Sequence, residues 1–266
     1  MKVLNKNLSK ELDSVASNNF GISSIHLMEI AGKVSADQID KDFPSKNQRK
    51  AIIICGPGNN GGDGFVIARL LFIYGWIVDV FVLSEIDKYK DAAYENLKIL
   101  LNCSENSKNQ IKVHISCDSK QIIDNISLLN PHIIVDAIFG VGLTKPIEGY
   151  ISEIINYINN SNIAPVYSID IPSGISADTG EILGVAIKAE KTITFSNPKV
   201  GHLLYPGKSY TGELIIEQIG IPNDSIIEKK PNLFTFTSLD EIKPYLKTRE
   251  KDTHKGDYGK VLVLGG

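Results

Sequence analysis

The segment DIPSG, residues 170–174, places a carboxylate and a hydroxyl in a rigid turn directly after an apolar run. A carboxylate held in this way can act as a general acid or base, and Ser173 can help to hold a cation. A turn-capping role for Asp170 is the structural alternative. No histidine adjoins the segment in the sequence, which argues against a Ser-His-Asp hydrolase. Asp170 is therefore the leading candidate for acid–base chemistry.

The segment GPGNNGGDG, residues 56–64, combines glycines with amide and carboxylate side chains. Its glycines let the backbone approach a ligand, and a helix that begins there offers N–H groups to a phosphate. Asn60 and Asp63 add side-chain oxygens that suit a hard cation. The segment contains G-x-G-x-x-G but lacks the G-K-[ST] of a P-loop, which argues against ordinary nucleotide hydrolysis. It predicts a loop that could hold both an anion and a cation.

A third polar segment, DAIFGVGLTKP, covers residues 136–146. Asp136 is interpreted as a cation ligand because it should lie at the same sheet edge as Asn60; a solvated strand-end carboxylate is the alternative. Lys145 could meet a phosphate or a catalytic proton, although a lone loop lysine more often faces solvent.

Each of the three segments directly follows a predicted strand, at 51–55, 132–135 and 165–169. Strands that alternate with helices and are almost continuously apolar predict an α/β fold with a parallel sheet covered on both faces. In open sheets of this kind, ligands bind beyond the carboxyl ends of the strands. The three segments are therefore predicted to form one site.

The remaining elements follow from hydrophobic periodicity. A helix is predicted after Ser23 or Ser24, where Leu27, Ile30, Ala31 and Val34 recur at helical spacing. Further helices are predicted near 87–101, 118–129 and 148–160, and further strands at 76–83, 111–115, 191–195 and 213–219, the last two without a helix between them. Residues 104–110 are predicted to form a polar loop.

The composition, with 42% hydrophobic and 22% charged residues among 266, is typical of a soluble globular protein. A net charge of −3 gives no electrostatic reason to expect nucleic acid or a membrane as partner. No apolar stretch approaches the roughly 18 residues of a membrane span, and the N-terminus lacks the apolar core of a signal peptide. Cys55, Cys103 and Cys117 show no C-x-x-C spacing and are predicted to be reduced. We therefore expect a cytoplasmic protein.

Several motifs, in order, resemble those of the NAD(P)H-hydrate epimerases, whose domain is also called the YjeF N-terminal domain. The matching segments are LMEIAG (27–32), GPGNNGGDGFVIAR (56–69), VDAIFGVGL (135–143), SIDIPSGISADTG (168–180), TFSNPKVGHLLYPG (194–207) and GELIIEQIGIP (212–222). The resemblance covers essentially residues 1–222. It implies a three-layer αβα Rossmann-like fold with a mainly parallel central sheet, commonly a homodimer. It also implies an isomerase that interconverts the R and S forms of hydrated NADH and NADPH (NADHX and NADPHX).

The resemblance also implies site residues. Asp170 and Lys145 are the catalytic candidates. Asn60, Asp136 and Ser173 match positions that bind potassium. The substrate-binding positions are Asn59, Asn60, Gly61, Gly62, Asp63, Gly140, Val141, Gly142, Leu143, Thr144, Lys145, Pro146 and Asp170. The chain departs from the family at Ile30, where an asparagine is usual, and a basic residue often falls at the position of Thr144, so Lys145 ranks below Asp170.

Two domains are expected. Residues 1–235 would form the epimerase domain, and residues 236–266 a linker and the start of an ADP- or ATP-dependent NAD(P)H-hydrate dehydratase, a ribokinase-like domain. The tail THKGDYGKVLVLGG looks like only the first strand and glycine loop of that domain. Dehydratase activity is therefore not expected from this chain, and a dehydratase in cis or in trans is the expected partner.

The substrate chemistry leaves two routes open. The C6 centre of the hydrated ring is a hemiaminal, so it can invert through loss and return of water or through ring opening and reclosure. One alternative function is a non-catalytic nucleotide-binding or scaffold module, because the fold does not specify chemistry. A dehydrogenase or methyltransferase is a third option. The acid expected after the second strand is imperfect, since Asp79 lies inside that strand and Glu85 just past it. Neither NADHX nor NADPHX is favoured as substrate.

Overall fold

The computed structural model describes residues 1–44, 49–222, 234–237, 239–246, 252–254, 260 and 262. The chain divides into two compact units, Lys2–Phe234 and a smaller one that joins Met1 to Thr235–Gly266. The strand and glycine loop predicted at 260–266 lie almost wholly outside the described residues, so the dehydratase start stays a prediction. None of the described helices is long and apolar enough to cross a membrane.

The larger unit is built from alternating helices and strands. Its helices are α1 (Lys6–Phe20), α2 (Ser24–Asp42), α3 (Asn59–Ile73), α4 (Asp91–Asn106), α5 (Ser119–Leu129), α6 (Gly149–Ser161), α7 (Val200–Leu203) and α8 (Gly207–Thr211). Its strands are β1 (Lys50–Cys55), β2 (Ile77–Val82), β3 (Ile111–Ile115), β4 (Ile133–Ala137), β5 (Val166–Ile169), β6 (Lys191–Phe195) and β7 (Glu213–Glu217). In the smaller unit, a short helix, α9 (Leu239–Ile242), runs into a 3₁₀ turn.

Within the described residues, seven strands form one sheet in the order β3-β2-β1-β4-β5-β6-β7. Every neighbouring pair is parallel. The sheet carries one apolar cluster on each face. Ile53 and Cys55 of β1 pack with α2, α3 and α4, whereas Ile52 and Ile54 pack with α5 and α6. The predicted three-layer αβα fold is therefore confirmed, and the sheet is parallel throughout.

The structure differs from the sequence predictions in four places. The segment 56–64 was predicted as a loop, but α3 begins at Asn59, so only residues 56–58 precede the helix. Helix α1 was not predicted, although Leu12 and Ala16 on it are buried. Helix α4 continues to Asn106, into the segment predicted as a polar loop. Between β6 and β7 no helix was predicted, but α7 and α8 lie there, with four and five residues. Helices of that length are too short to show a hydrophobic period.

The strand order makes β1, β4, β5 and β6 consecutive neighbours in the middle of the sheet. Register aligns Ile54 of β1 with Asp136 of β4, and Asp136 with Ser168 of β5. Because the strands are parallel, their carboxyl ends reach the same edge. The polar segments that follow these strands are thereby brought together.

Candidate active site

A cavity of about 630 Å³ opens at the carboxyl edge of the sheet. It is lined by the loops after β1 and β4, by the residue that follows β5, by the segment after β6, and by α1 and α2. The charged residues that line it are Lys10, Asp13, Asp63, Lys145, Asp170 and Lys199. Three carboxylates therefore share this space with a single buried lysine, Lys199.

Asp170 directly follows β5 and lies in the floor of the cavity. Its backbone is in the left-handed region, with φ of 66°, and its amide donates to the carbonyl of Ile193 at 2.7 Å. An aspartate tolerates this conformation better than most residues. One carboxylate oxygen, Oδ2, accepts a hydrogen bond from the amide of Val141 at 3.1 Å. The turn after β5 and the loop after β4 thus fix the carboxylate.

The other oxygen of Asp170 is paired with Lys199. The Nζ atom of Lys199 lies 2.6 Å from Asp170 Oδ1 and 2.7 Å from the hydroxyl of Thr194, and Lys199 is only 3% exposed. Burial opposes ionisation of Asp170, but the ammonium group of Lys199 outweighs it and holds the pKa of the carboxyl below its usual value. Asp170 is therefore an ionised carboxylate at neutral pH, ready to accept a proton.

His202 connects Asp170 and Lys199 through their backbones. Its Nδ1 accepts from the amide of Lys199, and its Nε2 donates to the carbonyl of Asp170, each at 3.0 Å. Burial, followed by the nearby charge of Lys199, lowers the pKa of His202 to about 3. The imidazole is neutral, and its two hydrogen bonds fix the backbones of Asp170 and Lys199 relative to each other.

Asp136, at the end of β4, lies below the cavity floor and is 1% exposed. Its Oδ2 accepts from the hydroxyl of Ser168 at 2.7 Å and from the amide of Ser173 at 2.9 Å. Its Oδ1 accepts from the hydroxyl of Ser173 at 2.5 Å and from the amide of Ile138 at 3.2 Å. Burial raises the pKa of Asp136, and the hydrogen bonds from Ser173 only partly oppose this. All of its hydrogen-bond donors are neutral groups.

Asn60 lies near Asp170, in the first turn of α3. Its amide oxygen and nitrogen are buried and have no hydrogen-bond partner among the described residues. Gly140 adjoins it: a Cβ there would lie 2.9 Å from Asp170 Oδ2 and 3.3 Å from Asn60 Oδ1. An amide oxygen, a carboxylate and a serine hydroxyl are oxygen ligands of the types that suit a hard cation. The residues predicted to bind potassium therefore offer suitable donor types, and the polar atoms of Asn60 are unpaired among the described residues; the binding itself stays a prediction.

The sequence matches the family described as "YjeF-related protein N-terminus" over residues 24–201. The chain belongs to this family. A "Bifunctional NAD(P)H-hydrate repair enzyme Nnr" of Thermofilum pendens is 37% identical over 268 residues, which span 100% of the chain and 48% of the relative. The chain thus spans about half the length of such bifunctional relatives. In two others it covers 47% and 49% of the relative's length.

Single-function relatives of the family are covered almost fully. An "NAD(P)H-hydrate epimerase" of Limosilactobacillus fermentum is 37% identical over 207 residues, 77% of the chain and 90% of the relative. The crystal structure of the yeast protein YNL200c superposes with a TM-score of 0.70 at 26% identity, covering 91% of this chain and 98% of that one. The described fold is therefore the fold of this family.

Most of the predicted family site residues line the cavity. These are Asn59, Asn60, Asp63, Gly140, Val141, Gly142, Leu143, Thr144, Lys145 and Asp170. Thr144 and Lys145 do so from exposed positions. Gly61, Gly62 and Pro146 do not line it. A Cβ at Gly61 would lie 2.0 Å from the carbonyl oxygen of Gly56, and one at Gly62 would overlap Met28, so both glycines permit close packing. Their contacts with substrate stay predictions.

Lys199, His202 and Asp13 were not identified from the sequence as site residues. One available signal was the segment SNPK, which follows β6 and is a fourth polar segment at the same sheet edge. Asp13 had no such signal, because α1 precedes the sheet and reaches the cavity only through tertiary packing. The sequence therefore indicated where the site lies but not which groups face Asp170.

Proposed function

We propose that this chain is an epimerase domain that interconverts the R and S forms of hydrated NADH and NADPH. The observation that carries the proposal is the ion pair of Asp170 and Lys199 in the floor of the cavity at the carboxyl edge. It supplies an ionised carboxylate where a dinucleotide would bind. The substrate class, hydrated NADH and NADPH, is taken from relatives that the chain covers almost fully and that are named NAD(P)H-hydrate epimerase.

The N-terminus of α3 is proposed to bind the pyrophosphate. The helix begins at Asn59, within the glycine-rich segment 56–64, and Gly58, Asn59 and Asn60 at its start line the cavity. The free N–H groups of a helix N-terminus bind phosphate oxygens, and the positive end of the helix dipole favours the charge. Firm binding at this end would place the hydrated nicotinamide ring in reach of Asp170. Positioning of this kind lowers the barrier without any new chemical group.

Asp170 is proposed to move the protons at C6. Because it is ionised at neutral pH, the carboxylate can accept a proton from water that adds to C6, or from the hydroxyl during ring opening. Val141 and Lys199 fix its two oxygens, and His202 fixes its backbone. The group is therefore held in one orientation before substrate arrives.

Potassium is proposed to bind Asn60, Asp136 and Ser173. The support is the unpaired amide of Asn60 and the buried carboxylate of Asp136, which has only neutral donors around it. When bound, the ion would hold the loops after β1, β4 and β5 together and offset phosphate charge. It is too weak a Lewis acid for much direct catalysis.

The partner domain, the oligomeric state and the cellular location of the protein are also proposals. The dehydratase step would come from a partner domain, in cis or in trans, as the name of the bifunctional relatives implies for them. A homodimer is proposed on the family resemblance alone, and sedimentation measurements would test it. The three free cysteines are compatible with a cytoplasmic location.

The direct test uses purified R epimer of hydrated NADH and of hydrated NADPH, with potassium present. Chromatography that separates the epimers should show conversion to S far above the rate without protein, and the same final ratio from either starting epimer. Binding of the hydrated cofactor without conversion would instead favour the non-catalytic ligand-binding module. A comparison with the intact cofactors would show whether hydration is recognised.

A further inference from the structure

Inversion at C6 through loss and return of water needs two proton transfers. One group must protonate the departing hydroxyl, and another must deprotonate the water that adds to the opposite face of the planar ring. Asp170 suits the second task, because Lys199 holds it ionised. An ionised carboxylate has no proton to give to the departing hydroxyl. The cavity must therefore contain a second acid–base group if C6 is inverted in a single catalytic cycle.

Asp13 lines the same cavity from a different element, α1. The helix is held firmly at its start: the side chain of Asn5 caps it by accepting from the amide of Leu8 at 2.9 Å. The amide of Lys6 donates to Asp178 at 2.7 Å, and its Nζ donates to the carbonyl of Gly142 at 3.3 Å. Asp13 thus extends from an anchored helix that is bonded to the loop after β4, the loop whose Val141 amide binds Asp170.

The protonation states of the two acids differ. Burial among protein groups, then the negative charge of Asp170, raises the pKa of Asp13 to about 6, and Lys199 opposes this. The charged groups that share its cavity are Lys10, Asp63, Lys145, Asp170 and Lys199. Although protein groups flank its carboxyl, the residue is exposed, so Asp13 can exchange its proton with water between turnovers. Two carboxyl groups in one cavity, one with a raised and one with a lowered pKa, are suited to opposite roles.

We propose that Asp13 is the second acid–base group of the epimerisation and serves the face of the ring opposite to Asp170. The inference rests on the proposed function. In one direction the Asp13 carboxyl gives its proton to the C6 hydroxyl, the C6–O bond breaks, and water leaves. The nitrogen lone pair forms the iminium double bond. A second water then forms a C6–O bond on the other face as the Asp170 carboxylate takes its proton.

The balance of this step is complete. One water leaves and one enters, no electron pair is gained or lost, and one proton has moved from Asp13 to Asp170. After the forward step Asp170 is protonated and Asp13 is ionised. The reverse epimerisation therefore uses the same two groups with their roles exchanged. Proton exchange with solvent restores the starting state.

The first test replaces Asp13 by asparagine and uses Glu11→Gln, on the same helix but outside the cavity lining, as the matched control. Asp13→Asn should lower kcat in both directions by about a hundredfold or more, with KM changed by only a few-fold. Glu11→Gln should keep the wild-type rate. A loss smaller than threefold in a folded Asp13→Asn protein would overturn the inference, as would the same loss in both variants.

The second readout is the pH profile, which a purely structural role of Asp13 would not alter. In the wild type, kcat should fall as pH rises through about 6, because Asp13 loses the proton that it must donate. Asp13→Asn should lack this decline, whereas Asp63→Asn should retain it. A decline that persists in Asp13→Asn and disappears in Asp63→Asn would assign the role to Asp63 and overturn the inference.

The third readout is the fate of the C6 oxygen in water enriched in oxygen-18. Loss and return of water requires one solvent oxygen in every inverted product molecule. Inverted product that retains its original oxygen would show ring opening and overturn the two-acid step, although the epimerase function would stand. No interconversion by the wild type would overturn the proposed function and this inference together.

Discussion

Asp136 and Asp170 terminate two adjacent strands of the same sheet, yet their surroundings differ in one decisive respect. Asp136 is surrounded by neutral donors from serines and backbone amides, and burial raises its pKa. Asp170 is less buried and pairs with the ammonium group of Lys199, which lowers its pKa. The residue type and the position at the sheet edge are the same. The lysine that pairs with Asp170, and has no counterpart among the hydrogen-bond partners of Asp136, separates the two roles.

This difference teaches how one sheet edge can support two kinds of chemistry. A buried carboxylate without a cationic side chain beside it has capacity to bind a cation, whereas one already neutralised by lysine is suited to exchange protons. Asn60 lies near Asp170, and the lack of a side chain at Gly140 leaves the space between those two side chains open. The predictions below test whether the regions are separable, from the largest expected effect to the smallest.

Asp170→Asn should produce the largest loss. Removing the proton acceptor should lower kcat by about 10²- to 10⁴-fold, and added potassium should not restore it. The measurement is epimer conversion by chromatography, with the melting temperature and binding of the hydrated cofactor as controls for folding. Full epimerisation rate in a folded Asp170→Asn protein would show that Asp170 is not the acid–base group.

Lys199→Met should shift the proton chemistry without removing the carboxylate. Burial is then unopposed, so the pKa of Asp170 rises, and activity is lost at a higher pH on acidification. At pH 6, kcat/KM should fall by about tenfold or more, while part of the loss returns at higher pH. The control is Lys188→Met at an exposed position. An unchanged pH profile for Lys199→Met would show that Lys199 does not set the pKa of Asp170, and the proposed difference from Asp136 would then be wrong.

Ser173→Ala should affect the cation rather than the proton. The half-saturating potassium concentration should rise by roughly 10- to 100-fold, with kcat at saturating potassium near the wild-type value. Activity is measured against potassium chloride at constant ionic strength, balanced with choline chloride. Potassium should also raise the melting temperature of the wild type, since a ligand stabilises the state that binds it. Absence of both effects in the wild type would remove potassium from the site.

The smallest expected effect is on folding stability: apart from its loss of rate, Asp13→Asn should gain slightly in stability at neutral pH. Because the pKa of Asp13 is raised in the folded state, its protonated form contributes folding stability that is fully present below the pKa of the unfolded state. This stability is lost as pH rises through about 6. Asparagine avoids that loss, so the variant should melt higher than the wild type at pH 7.5 and equally at pH 3. A lower melting temperature at pH 7.5 would show that ionised Asp13 stabilises the fold.

Much of the fold could be predicted because the strands are unusually apolar. The runs around Ile53, Val80 and Val135 have few competing interpretations, and their alternation with helices specifies a parallel sheet. Helix α1 was missed because it is polar overall, with Leu12 and Ala16 as its buried apolar residues. The short helices after β6 were missed because four or five residues cannot show a hydrophobic period.

The site could be located from the sequence but not fully assigned. The rule for parallel sheets brings Asn60, Asp136 and Asp170 to one edge, and the structure places them there. Which carboxylate pairs with Lys199 depends on tertiary contact between the end of β5 and the segment after β6. The pKa difference between the two aspartates follows from that contact, so no pattern of residue types could supply it.

Helix α1 also bears on where this domain can be cut. The family match begins at residue 24, so the helix that carries Asp13 and Lys6 lies entirely upstream of it. A polypeptide trimmed to that starting point would retain all the strands of the sheet, because α1 contributes none of them. It would also lose one wall of the cavity and the tether to Gly142. A boundary drawn from the family match alone would thus yield a domain with an open groove in place of its pocket.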